Sequence, residues 1–196
     1  DITVFLDDAG LVSITADDVD GGSFDNCDDL DLSIDITDFD CTDVGDNNVV
    51  LTVEDPVDNV ETCVATVTVV DNTLPTFTCP SPETVNGCDQ LVPDVASLVT
   101  DAADNCGVAN IYQEPAAGVD FGNMDGQTIT VTVYVVDVNG NVASCGVDVT
   151  IDDTVDPEFV NCPAEMIMIG NDHDECSGKR NWSIPVATDN CEVASV

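Results

Sequence analysis

Apolar and polar residues alternate along most of the 196-residue chain with a period of two, the repeat of strands that bury one face and wet the other. Ile2, Val4 and Leu6 fall on one side of a first strand. Leu30, Leu32, Ile34 and Ile36 share a face, with Asp31, Ser33, Asp35 and Thr37 opposite. The scheme returns at Val49, Leu51 and Val53, at Ile129, Val131, Val133 and Val135, and at Val147, Val149 and Ile151. Helical spacing is nowhere sustained. Asp137-Val138-Asn139-Gly140-Asn141, between two strong strand patterns, predicts a hairpin, because Asn-Gly supplies the positive φ that a tight turn needs.

The pattern is also periodic on a longer scale. Asp-Asn-Cys occurs at Asp25 to Cys27, Asp104 to Cys106 and Asp189 to Cys191. A second phrase, Cys63 to Val70 followed by Asp71, Pro75, Phe77 and Cys79-Pro80, is echoed by Cys145 to Ile151 followed by Asp152, Pro157, Phe159 and Cys162-Pro163. Two phrases in one order define a repeat of roughly 80 residues, long for a solenoid and right for a small sandwich. Several short strands per repeat, bounded by Gly, Asn, Asp and Pro, predict an all-β chain of tandem immunoglobulin-like, Greek-key β-sandwich repeats in an elongated rod. The expected domains are 1–72, a first repeat lacking its upstream start, 73–153, a complete second repeat, and 154–196, a partial third. A chain that opens already in alternation and ends within a repeat reads as a segment of something longer.

Composition changes the picture in two ways. Forty acidic residues stand against two basic ones, for a formal charge of -38, which opposes binding to nucleic acid or to anionic membrane surfaces. With 43% apolar residues interleaved among the acids, the chain reads as folded with an acidic skin rather than as a disordered tail. Ten cysteines, one histidine and no C-x-x-C pair point to disulfides and an exported, extracellular protein rather than to zinc. No run of about 18 apolar residues offers a membrane span.

Cys79-Pro80, Cys88, Ala103-Asp104-Asn105-Cys106, Val136-Asp137, Gly140-Asn141, Cys145 and Val147 to Asp152 together resemble the hyalin repeat family and the related repeats of large bacterial cell-surface adhesins. The first repeat departs from the pattern, lacking the Cys-Pro phrase and reading Asp55-Pro56-Val57-Asp58-Asn59 at the hairpin. The resemblance implies an immunoglobulin-like fold and an extracellular adhesive setting, and implies no particular ligand. The repeat pattern suggests bridges within each unit, Cys27 with Cys63 and Cys106 with Cys145, and short links from Cys79 to Cys88 and Cys162 to Cys176. Cys41 and Cys191 are then left for partners outside the chain. Spacing alone leaves this connectivity open.

In a sandwich of this kind the Asp-Asn-Cys loop, the last hairpin and the incoming linker emerge at one end. The expected bridge from Cys106 to Cys145 would fasten the first two together, so that Asp71, Asn72, Asp104, Asn105, Asp137, Asn139 and Asn141 meet there. Calcium takes six to eight oxygen ligands from such carboxylates, amides and backbone carbonyls. Asn72 to Phe77 also resembles, loosely, the cadherin inter-domain phrase that ends Asp-Asn-x-Pro-x-Phe. Equivalent half-sites are Asp25, Asn26, Asp55, Asp58 and Asn59 in the first repeat, and Asp152, Asp153, Asp189 and Asn190 after the second. Against calcium stands the ordinary use of Asp and Asn as turn residues. In favour are recurrence in register and a large charge with almost no cations to compensate it.

The remaining features are bland. His173 reads as a solvated loop residue, Lys179-Arg180 as a local ion pair with neighbouring acids, Asn181-Trp182-Ser183 as a weak glycosylation match, and Trp182 as core. No residue singles out a glycosidase-like carboxylate pair, so the chain is read as a non-enzyme. The expected function is a structural spacer that holds a binding region away from the cell, in contact with neighbouring repeats of its own chain. The alternative is that the repeats themselves bind an extracellular glycan or protein.

Overall fold

The computed structural model describes residues 1–26, 30–86, 91–120, 126–161, 170–171, 173–174, 176–177, 185–190 and 193. They are almost wholly strand and loop and fall into two compact units: Asp1–Pro80 with Val95–Glu114 and Thr132–Gly146, and Ser81–Asp94 with Pro115–Val131 and Val147–Val196.

The first unit begins with β1 (Ile2–Phe5), β2 (Leu11–Ser13), a single helical turn Ala16–Val19, β3 (Asp31–Ile34), β4 (Asp38–Asp40), a 3-10 turn Cys41–Asp43, β5 (Gly45–Glu54) and β6 (Val60–Val70). Hydrogen bonding orders four of these as β1-β6-β5-β3, and β2 pairs with β4 in a small second sheet. The two sheets form a sandwich whose core is Leu6, Ile14, Val19 and Phe39 against Val49, Leu51, Ala65, Val67 and Val69. Ile2, Val4, Leu32, Ile34 and Val53 pack on its margin, so the period-two reading holds, while Ile36 lies beyond the end of β3 and is exposed. β1 runs parallel to β6, with Ile2 beside Val67. β5 and β6 form a ten-pair antiparallel ladder from Gly45↔Val69 to Glu54↔Val60.

A second four-stranded sheet has the order β7-β10-β9-β8, built from β7 (Glu83–Val85), β8 (Val108–Glu114), β9 (Gln127–Asp137) and β10 (Val142–Ile151). Here too the first strand runs parallel to the last, Glu83 beside Val149. Val131, Val133 and Val135 of β9 and Val147, Val149 and Ile151 of β10 are at most 3% exposed, the valine-rich inner face that alternation predicts. In the second unit β11 (Glu158–Val160) pairs antiparallel with β12 (Val186–Thr188).

Three loops of the first unit repeat one turn. In Asp7–Leu11, Asp55–Asn59 and Asp137–Asn141 the first aspartate's Oδ1 accepts the backbone N–H of the third and fifth residues at 2.8–3.0 Å. Its own N–H donates to the fifth carbonyl at 3.0–3.1 Å. The fourth residue has positive φ: Gly10 at 73°, Asp58 at 64° and Gly140 at 95°. Asp55-Pro56-Val57-Asp58-Asn59 therefore closes the same hairpin as its glycine-containing counterpart. The hydrogen bonds from Asn59 hold the Asp55 carboxyl below the usual aspartate range. A side chain in this region is strained relative to glycine. Asp58→Gly is accordingly expected to stabilise the protein by a few tenths to about 1 kcal/mol, read from the urea unfolding midpoint.

The cysteines pair differently from the expected set. Cys41 bonds Cys106 with a Cα–Cα distance of 5.3 Å, and Cys79 bonds Cys145 at 6.0 Å. Cys106 does not reach Cys145 because it precedes β8, two strands from β10, and two strand spacings come to roughly 10 Å, beyond disulfide reach. Cys79 precedes β7, the immediate neighbour of β10, and so takes Cys145 rather than Cys88. Cys41 needs no partner outside the chain. Cys63 stands on β6 opposite Leu51 as an exposed free thiol, so the link to Cys27 does not form, and Cys176 is likewise free. Cys27, Cys88, Cys162 and Cys191 lie outside the described residues, as do Lys179, Arg180, Asn181 and Trp182.

Candidate metal centre

One carboxylate cluster stands out among the described residues. Oxygens of Asp71, Asp104 and Asp137 lie within 4.8 Å of one another, with Asp71 and Asp137 buried and Asp104 half-buried. Each is placed by a different piece of local structure. Asp71 follows β6 and begins a turn in which its Oδ1 accepts the Thr73 N–H at 3.1 Å. Asp104 folds its own loop, its Oδ1 accepting the N–H groups of Cys106 at 2.9 Å and Gly107 at 3.2 Å. Asp137 ends β9, where it also accepts the Asn141 amide Nδ2–H at 2.7 Å on Oδ2.

Sheet register brings the last two together. Val108 of β8 pairs with Asp137 of β9, and the Val138 N–H donates to the Gly107 carbonyl at 3.0 Å. No bridge between Cys106 and Cys145 is involved. Asn105 and Asn141 then fasten Asp71 to this pair. Asn105 Nδ2 donates to Asp71 Oδ1 at 3.3 Å and to the Asp7 carbonyl at 3.0 Å, and Asn141 Nδ2 donates to the Asp71 carbonyl at 3.2 Å.

What remains around the cluster is a surplus of acceptors. Asp71 Oδ2, Asp104 Oδ2 and Asn105 Oδ1 are buried and accept no hydrogen bond from the described residues. Asp71 is only 6% exposed. Buried acceptors are nearly always matched by donors, and leaving them bare costs free energy. Charge compounds the problem: at 4.8 Å two carboxylates in an effective dielectric of about 20 repel by about 3 kcal/mol, so three pairs carry roughly 10 kcal/mol. A cation answers both. The donor set is all oxygen, without cysteine or histidine, which fits a hard cation and does not fit zinc.

The other sequence candidates fall in different places. Asn72 and Asn139 are exposed; the Asn139 N–H serves the Asp137 turn. Asp25 and Asn26 make interactions of their own and are not part of the cluster. Asp55 is engaged in its hairpin with Asn59, and Asp58 occupies that hairpin's strained position. In the second unit Asp153 repeats the Asp71 turn: its Oδ1 accepts the Val155 N–H and the Asn190 amide, each at 3.1 Å. Asp189 is half-buried beside Asn190, and Asp152 is exposed, its N–H donating to the Val85 carbonyl at 3.1 Å. Asp153, rather than Asp152, is thus the counterpart of Asp71, and a counterpart of Asp137 is not among the described residues.

Two contributors lie outside the sequence candidates. The Asp7 carbonyl anchors Asn105, and Gly10 lets the Asp7–Leu11 turn approach: a Cβ there would stand 2.7 Å from Cys41 Sγ and 3.0 Å from the Asn105 carbonyl oxygen. The shared Asp-x-x-Gly pattern of Asp7 to Gly10 and Asp137 to Gly140 is the signal that finds this turn. His173 is exposed and lies 2.7 Å from the Asp174 carboxylate. The Tyr112 and Tyr134 rings stack on each other across β8 and β9, centroids 4.9 Å apart, away from the cluster's loops.

No family model matches the chain, and no curated protein does. Among solved structures, the chain is similar to the human mucin-like protocadherin EC1-2 structure at 12% identity and a TM-score of 0.31, over 64% of this chain and 85% of that one. Human protocadherin-24 EC1-2 gives 12% identity and a TM-score of 0.35 over 78% and 95%. Human CDH23 EC21-23 gives 21% identity and a TM-score of 0.29 over 63% and 50%. Likenesses this loose transfer no function.

Proposed function

We propose that the chain is a run of immunoglobulin-like repeats, bounded near residues 72 and 153, that serves as a calcium-stiffened spacer in an extracellular adhesive protein of the hyalin-repeat kind. The observation that carries the calcium reading is the set of donorless buried acceptors, Asp71 Oδ2, Asp104 Oδ2 and Asn105 Oδ1, beside three clustered carboxylates. Asp71, Asp104, Asp137 and Asn105 would hold the ion. Calcium suits them because it accepts irregular oxygen cages, whereas magnesium demands near-ideal octahedral geometry and keeps its waters. Bound there, the ion would join the end of β6, the loop before β8 and the end of β9, the three segments whose relative position a spacer must keep fixed. Recurrence of the Asp71 turn at Asp153 supports a repeating arrangement. The two disulfides among the described residues support folding in an oxidising compartment. No helix among the described residues is long and apolar enough to cross a membrane.

The test is calcium binding by calorimetry, with thermal unfolding in calcium and in chelator. At a free concentration a hundred times its dissociation constant, one site raises stability by about 2.7 kcal/mol. Absence of bound calcium together with identical unfolding in both solutions would reduce the cluster to ordinary turn residues.

A further inference from the structure

The loop that carries Asp104 and Asn105 is tied to the first sandwich by a covalent bond immediately beside the cluster. Cys106 follows Asn105 directly and is bonded to Cys41, the first residue of the 3-10 turn Cys41–Asp43. That turn is itself held by Asp40, whose Oδ1 accepts the Thr42 N–H and hydroxyl at 2.7 Å. Cys41 Sγ lies 3.5 Å from the Asn105 carbonyl oxygen and 3.8 Å from that of Gly10, and Gly10 has no room for a side chain. The sulfur bridge thus packs against both the Asp7–Leu11 turn and the Asn105 backbone. The noncovalent ties of Asn105 to this side are two amide hydrogen bonds, to the Asp7 carbonyl and to Asp71 Oδ1. Together with the backbone pair of Ala103 with Thr76, they act against the mutual repulsion of Asp71, Asp104 and Asp137.

We infer that the Cys41–Cys106 disulfide is a positioning device for the cation site, holding Asp104 and Asn105 against Asp71 so that cation affinity follows the oxidation state of this bond. The inference rests on the calcium reading above. When the bond is intact the ligands are gathered before the ion arrives, and the cost of bringing three carboxylates together is met on folding and bond formation. When it is reduced, the ion itself must draw the loop in. Reduction by a dithiol is balanced as two exchanges: a reagent thiolate attacks one sulfur, the second sulfur leaves as thiolate and is protonated, and the remaining reagent thiol resolves the mixed disulfide. Two electrons and two protons pass to Cys41 and Cys106, and the reagent ends as its cyclic disulfide.

Because coupling between two equilibria is reciprocal, calcium must in turn favour the oxidised bond by the same factor. The experiment measures both sides. Calcium affinity is determined by calorimetry for the oxidised chain and for Cys41→Ala/Cys106→Ala with Cys79–Cys145 retained; Asp71→Asn identifies which binding belongs to this site. In parallel, the wild-type chain is equilibrated with reduced and oxidised dithiothreitol, in calcium and in chelator. The Cys41–Cys106 population is then read by alkylation and peptide mass mapping. Loss of the bond is expected to weaken calcium about ten- to a hundredfold, the usual effect of removing a ligand's support, and calcium is expected to shift the thiol–disulfide equilibrium by that same factor. If the bond only stabilises the fold, its loss lowers the melting temperature equally in calcium and chelator and leaves both quantities unmoved. Equal affinities with a calcium-independent redox equilibrium overturn the inference while leaving the calcium site standing, whereas no calcium binding by the oxidised chain overturns both. Should the double variant not fold, the redox equilibrium of the wild-type chain decides alone.

Discussion

Asp71→Asn is expected to make the protein more stable in chelator, by about 2–4 kcal/mol, and to abolish the further stabilisation that calcium gives the parent. Asp71 Oδ1 accepts from Thr73 and Asn105, and an amide oxygen can keep both bonds, each weakened because a charged acceptor binds more strongly than a neutral one. The substitution removes two of the three carboxylate repulsions, each worth about 3 kcal/mol at an effective dielectric of about 20. It also places an N–H donor where Oδ2 now lacks one. In calcium the balance changes, because a site with one charge fewer holds the ion weakly, and the parent's gain of about 2.7 kcal/mol at a hundredfold excess over its dissociation constant is lost. Thermal unfolding of both proteins in both solutions reads the whole pattern. A variant that is less stable in chelator and still gains from calcium would remove the cluster from the calcium account. Asp137 is the poorer choice for this test, since its carboxylate accepts three hydrogen bonds that close the hairpin.

Removal of the second disulfide, Cys79→Ala/Cys145→Ala, is expected to cost about 4 kcal/mol, because a sequence separation of 66 residues is a long loop to close from the unfolded chain. Against a net stability of about 5–15 kcal/mol for an ordinary domain, that is a large fraction. The effect belongs in the urea midpoint, with the slope watched for a change in the unfolded state. An unchanged midpoint would mean that the parallel pairing of β7 with β10 already holds the segment without help.

The architecture was readable because burial on one face leaves a period-two trace along the long core strands, from Val49 and Leu51 to Val147 and Val149. The approach of Asp104 to Asp137 was also readable, although through the wrong cause. Disulfide logic placed them together by joining Cys106 to Cys145, whereas the register of β8 on β9 does so. The real bonds were hidden for a physical reason: both depend on which segments become spatial neighbours, and that is set by strand order. Cys145 finds Cys79 only because the first strand of the second sheet lies parallel beside the last, a crossover with no local signature. Cys106 finds Cys41 through a 3-10 turn of three residues, too short to show any periodicity. The Asp-x-x-Gly phrase marks the turn at Gly10, but the need for glycine there is not legible in sequence, because it is steric and comes from residues distant along the chain.

The parallel pairing of first with last strand has a mechanical consequence. A pull on the two ends of such a sheet enters at the start of β1 and leaves at the end of β6, so the four pairs from Ile2↔Val67 to Phe5↔Val70 are sheared together instead of being peeled one at a time. In the second sheet the Cys79–Cys145 bond lies four residues ahead of the Glu83↔Val149 pair in both strands. Tension arriving at residue 79 therefore crosses to β10 through sulfur. The 66-residue stretch between the two cysteines, roughly 220 Å of chain if drawn out, cannot be paid out under load while that bond is intact. Thiol chemistry, rather than the strength of the hydrogen-bonded ladder, sets how far this part of the molecule can be stretched.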